Sequence, residues 1–411
     1  MTSKPQVRFL DRSTPPSILT LIAITATSAL AMNMFMPSLP SIAQYFDVQY
    51  RVIQLSVAVF LAMNAVLQLV IGPLSDRYGR RRVLMAGFVI FVLASLGCIF
   101  APSAKVFLIF RAIQASVAVA MVLSRAIVRD MVPQNEAASM IGYITMFMAV
   151  VPMISPAIGG YLDQVFGWQA TFWVSVGAGI LGLWLIWADL GETNTSQSTS
   201  FAQQFSEYPA LLSSPRFWGY SLSSAFAWGA FFAYVGGAPF VGTVVFGLEP
   251  ASLGIYFGAP ALGYIVGNFL SGRFSARLGA NRMVLSGSLV LMAGASLSLV
   301  LFYAGLGNVT TFFGLMTFVG LGNGMVLPNA TAGMLSVRPK LAGTASGLGG
   351  TITIGGGAGL SALAGALLGP GSGPFPLLWV MFTVSVLATA SIIYVIRRDR
   401  ALAAGIPAEQ E

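Results

Sequence analysis

The chain has 411 residues, 56% of them hydrophobic and only 8% charged. A soluble domain carries about 25% charge, so this much apolar surface cannot be hidden in one core and lipid must act as solvent. The net charge of +8 is then a topology signal rather than a nucleic-acid footprint, the lone Cys98 excludes an internal disulfide, and the absence of His removes the usual proton carrier and metal ligand. Apolar runs of about 20 residues, long enough to cross a bilayer, are predicted at 17–38, 52–75, 83–101, 105–128, 138–161 and 169–189. Six more follow at 217–246, 252–274, 283–304, 309–335, 342–368 and 376–396. The expected fold is an all-α membrane protein of twelve transmembrane helices in two pseudo-symmetric six-helix bundles. The bundles are expected over 1–190 and 216–411, with a cytoplasmic linker over 191–215. With the N-terminus inside, eighteen Lys and Arg fall on the cytoplasmic side, only Arg51 and Lys105 fall outside, and Arg111 lies within a span. That asymmetry supports the count, an inner-membrane location of bacterial type and two cytoplasmic termini. Lys4, Arg8 and Arg12 ahead of Ala29-Leu-Ala31 also fit a cleaved leader, but its loss would leave the first half one helix short.

The polar features, in chain order, begin with Asn33 near the end of the first span. After the second span comes Gly72 to Gly87, which recurs 200 residues later as Gly272 to Gly287. Gly72, Ser75, Arg77, Gly79, Arg82 and Gly87 reappear at 272, 275, 277, 279, 282 and 287. A duplicated polar loop at matching depth implies two similar membrane halves, an architecture found mostly in transporters. Arg111 lies 18 residues, ~27 Å of helix, from Arg129 at the cytoplasmic end of the fourth span. A charge near a helix centre costs roughly 2.5–3.5 kcal/mol on insertion scales, so Arg111 should face the interior or a wet cavity, the alternative being snorkelling to the outer interface. In the same span Met121 to Ala126 is echoed by Met325 to Ala330 in the tenth. The fifth span carries Pro152, Pro156, Gly159 and Gly160, which permit bending and close helix contact. Gly355 to Gly359 in the eleventh reads as the counterpart packing seam. Residues 191–200 are a polar linker, and 201–212 fit either an interfacial helix or plain linker.

Gly72 to Arg82 fits the pattern G-x-L-x-D-R-x-G-R-R-x and so resembles the loop between the second and third helices of the major facilitator superfamily. Arg111-Ala-Ile-Gln114 resembles that superfamily's R-x-x-Q motif, and Pro152 to Tyr161 resembles its antiporter motif with Ser155 in place of a glycine. Pro37 to Pro40, Arg129-Asp130, Gly167 to Trp173, Glu192-Thr193, Gly237 to Phe240 and Ala342 to Gly347 narrow the resemblance to the bicyclomycin and chloramphenicol resistance (Bcr/CflA) branch of the drug:proton antiporters. It covers nearly the whole chain and implies export of amphiphilic antibacterials in exchange for protons. It also implies roles for Arg111 and Gln114 in proton transfer and substrate binding. Gly72, Asp76, Arg77, Gly79, Arg80 and Asp130 form the expected gating cluster. Gly72 and Gly79 let the chain turn, and the arginines reach the carboxylates at neighbouring helix ends.

The chain departs from the family at the first helix, where Asn33 stands in a phrase that usually carries Asp. All thirteen acidic residues fall in tails, loops or helix ends. A proton-coupled carrier needs a group whose pKa crosses ambient pH. Three readings follow: coupling through Asp163, Asp130 or Asp76, an uncoupled facilitator, or an anionic substrate held by Arg111. Asn33 and Arg111 are estimated to lie at similar depth and are expected to share a polar pocket. Asn64, Gln114, Tyr143, Met146, Tyr234, Asn268 and Asn323 complete the candidate substrate or coupling set, with Gln68, Phe231, Phe232, Tyr256 and Tyr264 as further lining candidates. No cofactor is expected beyond a proton gradient, and no catalytic site, metal ligand cluster or nucleotide loop is read. The expected partners are a small amphiphilic drug and membrane lipid, with no nucleic acid, and the chain is expected to be a monomer. An uptake or metabolite-efflux carrier is the alternative on the same fold.

Overall fold

The computed structural model describes residues 7–131, 134–193, 208–338, 341–369 and 371–403. In the first half the helices are α1 (Ile18–Asn33), α2 (Leu39–Tyr45), α3 (Tyr50–Tyr78), α4 (Arg80–Ile99), α5 (Ala104–Gln114), α6 (Ala118–Met131), α7 (Gln134–Phe166) and α8 (Gln169–Asp189). In the second half they are α9 (Pro215–Phe240), α10 (Pro250–Phe257), α11 (Ala259–Leu278), α12 (Ala280–Tyr303), α13 (Val309–Leu315), α14 (Thr317–Val337), α15 (Ala342–Leu367) and α16 (Phe375–Ala403). Eleven segments among the described residues are long and apolar enough to cross a membrane. The fifth expected span, 138–161, falls within α7, a 33-residue helix in which most side chains of 134–150 lie outside the described residues.

Several expected spans are broken helices. The first continues from α1 through a 3-10 turn at Met36–Ser38 into α2, where Pro37 and Pro40 remove backbone donors from a regular α-helical ladder. The fourth is α5 and α6 joined by a 3-10 turn at Ala115–Val117, and the seventh ends in a π-helical turn at Val241–Val245 after Pro239. Helix starts carry the caps that their sequences provide. Ser17, Ser103 and Ser214 accept from backbone N–H groups of α1, α5 and α9, and Asn308 forms a reciprocal capping box with Thr311 at α13.

The duplicated loops fold alike. Gly79 ends α3 at φ +96° and Gly279 ends α11 at φ +84°, each donating its N–H over 2.9 Å to the carbonyl of Ser75 or Ser275. A residue with a Cβ is strained at this φ, which accounts for glycine at both positions. Within the halves α1 packs against α7 and α8, α4 against α8, α9 against α15 and α16, and α14 against α11 and α12. The halves meet through α3 against α15 and α7 against α10.

Close backbone approach marks these contacts. A Cβ on Gly159 would lie 1.8 Å from the Met34 carbonyl, and one on Gly160 2.1 Å from the Pro250 carbonyl. The expected counterpart seam at 355–359 is not continuous. Gly357 is tight against the Phe232 ring, but a Cβ on Gly355 would meet only the Ala65 methyl at 3.9 Å, and Gly359 has nothing within 4 Å.

Candidate functional site

A cavity of about 270 Å³ lies between the halves. Ser28, Asn33, Phe60, Asn64, Arg125 and Pro152 line it from α1, α3, α6 and α7. Trp228, Phe231, Phe232, Phe257, Tyr264, Asn323 and Ile354 line it from α9, α10, α11, α14 and α15. The second half supplies an aromatic wall: Trp228 stacks on Phe231 with ring centroids 5.0 Å apart, meets Phe232 edge-on at 5.4 Å, and approaches Tyr264 at 6.1 Å. Such rings give a large apolar contact area at low entropic cost.

Three asparagines interrupt this apolar surface. Asn33 and Asn323 each turn the side-chain amide back on their own helix, donating to Ala29 O over 2.7 Å and Val319 O over 3.0 Å. The Asn323 Oδ1 is buried with no protein partner, while the Asn64 Oδ1 accepts from Gln68 over 2.9 Å. A buried, unbonded carbonyl oxygen is an acceptor available to a ligand donor.

One end of the cavity is sealed. The Gly160 and Pro250 backbones are in contact, as are those of Gly254 and Pro156. The Tyr50 hydroxyl donates to Gly236 O over 2.6 Å, and the Gln54 amide donates to the Ser361 carbonyl and, over 3.0 Å, to its Oγ. Toward the Gly79 end of α3 the halves part. The Thr351 hydroxyl still reaches Ala65 O at 3.4 Å, but a Cβ on Gly72 would find nothing within 4 Å. Arg125 is an exposed residue of the cavity lining, toward this end of α6.

Arg111 does not line the cavity. Its guanidinium carbon lies 4.0 Å from the Phe35 ring centroid, 4.5 Å from Phe60 and 5.9 Å from Phe172, and the residue is 1% exposed. The rings are held by an edge-on aromatic cluster in which Phe172 meets Phe107 at 5.6 Å and Trp168 at 5.8 Å. Nη1 donates to Ala31 O at 3.4 Å and to Gln114 Oε1, and Gln114 in turn donates to Ser95 Oγ over 2.7 Å. Nε and Nη2 have no protein partner. Asn33 and Arg111 therefore do not share the expected pocket: Phe60 belongs to both surroundings, its ring lining the cavity and also packing on the guanidinium. A neutral amide bonded to its own helix offers no charge to draw the guanidinium past that ring.

The remaining expected residues are dispersed. Tyr234 is buried outside the lining, donating to Phe257 O over 3.0 Å. Asn268 is also outside it and donates to Tyr264 O over 2.8 Å. The side chains of Tyr143 and Met146 lie outside the described residues. Sequence reasoning counted Arg125 only as a topology arginine and passed over Trp228 and Phe257. The available signal was depth, because Arg125 sits four residues, ~6 Å, deeper than Arg129.

At the open end a charged cluster ties helices of the first half together. Arg80 pairs with Asp76 at 2.5 Å and with Asp130 at 3.2 Å, and it also donates to Ser75 Oγ. Thr193 reaches the same Asp130 oxygen at 3.3 Å. Arg77 packs instead over the Tyr78 ring at 5.4 Å. The Glu192 carboxylate accepts from the Arg80 and Arg81 backbone N–H groups at 2.7 and 3.3 Å, resting on Gly79 and meeting the positive end of α4. The second half has its own version, in which Asp399 forms an ion pair with Arg216 at 2.8 Å and accepts from Asn281 at 2.6 Å, and Asn281 accepts from Tyr220. Asp163 lies at the sealed end, accepting from Ser41 over 2.8 Å, and burial raises its carboxyl above the ordinary range against the pull of that bond.

The Major Facilitator Superfamily model matches residues 21–358 and 245–411. The chain is 30% identical over 334 residues to the chloramphenicol resistance protein of Pseudomonas aeruginosa, covering 80% of this chain and 78% of that one. It is 26% identical over 390 residues to the bicyclomycin resistance protein homolog of Haemophilus influenzae, covering 93% and 96%. A bacterial homolog of the human lysosomal transporter Spinster, solved in an inward-facing and occupied conformation, has the same fold, with a TM-score of 0.70 over 93% of this chain and 96% of that one at 17% identity.

Proposed function

The chain belongs to the Major Facilitator Superfamily, and from that premise we propose that it is a secondary transporter that exports amphiphilic drugs or related small molecules by alternating access. One observation carries the reading: a cavity between two helix bundles, sealed by backbone contacts at one end, with an aromatic wall and a few amide groups. The names of the Pseudomonas and Haemophilus relatives support drugs as cargo. The arginine asymmetry supports an inner-membrane location with both termini cytoplasmic, so the open end of the cavity faces the cytoplasm and loads substrate from there. We assign it no covalent chemistry and read it as a monomer.

Proton exchange is our reading of the driving force, with Asp163 and the Asp76 and Asp130 cluster as the available carboxylates. A second reading, an uncoupled facilitator, is favoured by the absence of a carboxylate among the described residues lining the cavity. Expression in a pump-deleted bacterial host tests the export reading. Raised resistance to chloramphenicol or bicyclomycin, with drug uptake into everted vesicles, is expected. No protection across a drug panel and no vesicle uptake would refute it in favour of an uptake or metabolite carrier. In proteoliposomes, a drug-induced pH change identifies antiport, and transport without one identifies the facilitator.

A further inference from the structure

At the sealed end lies a second pocket, of about 420 Å³, which shares no lining residue with the central cavity. Ser41, Gln44 and Tyr45 of α2 line it, with Asp163 near the end of α7 and Trp168 and Gln169 at the start of α8. The Gly167 N–H donates to the Asp163 carbonyl over 2.9 Å and closes the turn between α7 and α8. That turn brings Trp168 and Gln169 to the same pocket as the Asp163 side chain. Asp163 is 7% exposed, and its Oδ2 accepts from Ser41 over 2.8 Å. No Lys or Arg forms an ion pair with it among the described residues. The cations of this end are Arg51 and Lys105, both exposed, and its carboxylates are Asp47, Asp163 and Glu249. All five side chains, and every side chain that lines the pocket, are among those described. Burial raises the Asp163 carboxyl, opposed by the Ser41 hydroxyl rather than by a cation.

The aromatic side of the pocket is rigid. Phe107 and Phe172 hold the Trp168 ring edge-on, each with centroids 5.8 Å away, and the exposed Tyr45 ring meets it edge-on at 5.3 Å. Trp168 is 4% exposed, and its Nε1 has no protein partner. These groups suit one kind of guest. A neutral molecule leaves the buried carboxylate without a counter-charge. A divalent metal needs several oxygen ligands, and no group of three or more His, Cys, Asp or Glu could hold one among the described residues. An ammonium group brings its donors in a small volume. It can bond Asp163 and the side-chain oxygens of Gln44 and Gln169, and a ring face attracts it. An oxygen on the same guest can accept from Trp168 Nε1.

We propose that this pocket binds a small organic ammonium group, with Asp163 as its counter-charge and the Tyr45 ring as its wall. The site goes beyond the transport reading and does not depend on it. Phenethylamine and 2-phenylethanol test it, because they have nearly one shape and differ in charge at neutral pH. Their binding to the full-length protein in uncharged detergent micelles is measured by equilibrium dialysis in dilute potassium phosphate, with protein-free micelles subtracted. The amine should bind tighter by about tenfold. Asp163→Asn keeps the shape and an acceptor for Ser41, and should erase that gap. Tyr45→Leu, at an exposed side chain, should weaken the amine several-fold, and its melting curve should match the parent's. Equal binding of the two probes, a gap unchanged in Asp163→Asn, or displacement of the amine by sodium ions at lower concentration than the amine itself would each overturn the proposal. A soluble amine and a lipid headgroup offer the same ammonium. Displacement of the probe by short-chain phosphatidylethanolamine but not by phosphatidylglycerol identifies the lipid, and displacement by neither identifies the soluble amine. Drug export by cells is scored separately, so a failure of the transport reading remains distinguishable from a failure of this site.

Discussion

Arg111 sits between the Phe35 and Phe60 rings, with Gln114 and the Ala31 carbonyl as its hydrogen-bond partners. A buried guanidinium without a carboxylate is costly, and the ring faces recover part of that cost. Arg111→Met keeps the length of the side chain and removes the charge. It should leave thermal stability within about 1 kcal/mol of the parent or raise it, while transport falls sharply. A melting scan beside a vesicle uptake assay reads both, and retained uptake would mean that the charge serves packing alone. Asn33→Asp places a titratable group on the cavity wall. It should introduce pH dependence into drug uptake by everted vesicles, and unaltered pH-driven uptake would remove position 33 from the coupling site. The presence of Arg111 in an interior was legible from its depth in an apolar run, but its ring contacts were not. They depend on Phe35 and Phe172, which lie 76 and 61 residues away in sequence and meet only after the bundle packs.

At the level of elements, the turn between α3 and α4 joins two kinds of restraint. Gly79 allows the chain to reverse, and the Asp76, Arg80 and Asp130 chain links α3, α4 and α6. Because these groups are partly exposed, Asp76→Asn should cost stability only about 0.5 kcal/mol. It should slow turnover more than it weakens drug binding, as measured by uptake rate and binding on the same preparation. An unchanged rate would separate the cluster from gating. Gly159 is restrained differently, by backbone. Gly159→Val drives side-chain atoms into the Met34 carbonyl and should cost ~1–3 kcal/mol through overpacking, seen as a lowered melting temperature, and a parent-like melting curve would contradict so close an approach. The duplicated loop was visible in the sequence because glycine at positive φ leaves few substitutes. Glu192 in that cluster was not, since only folding brings the end of α8 to the start of α4.

On the scale of the whole molecule, two bundles touch closely at one end and part at the other. The pairing of halves was readable from repeats 200 residues apart, and most span positions from apolar run length. The broken helices were less so, because a 3-10 or π turn keeps the same composition as the helix around it. The path proposed for the drug requires the sealed end to open in each cycle, separating Gln54 from Ser361. Cysteines at both positions in a Cys98→Ser background test this most directly, through drug transport by proteoliposomes before oxidation, after oxidation and after reduction. A disulfide there should stop transport while drug still binds in the cavity, and reduction should restore it. Full transport with the two halves covalently joined at that end would contradict alternating access through this cavity.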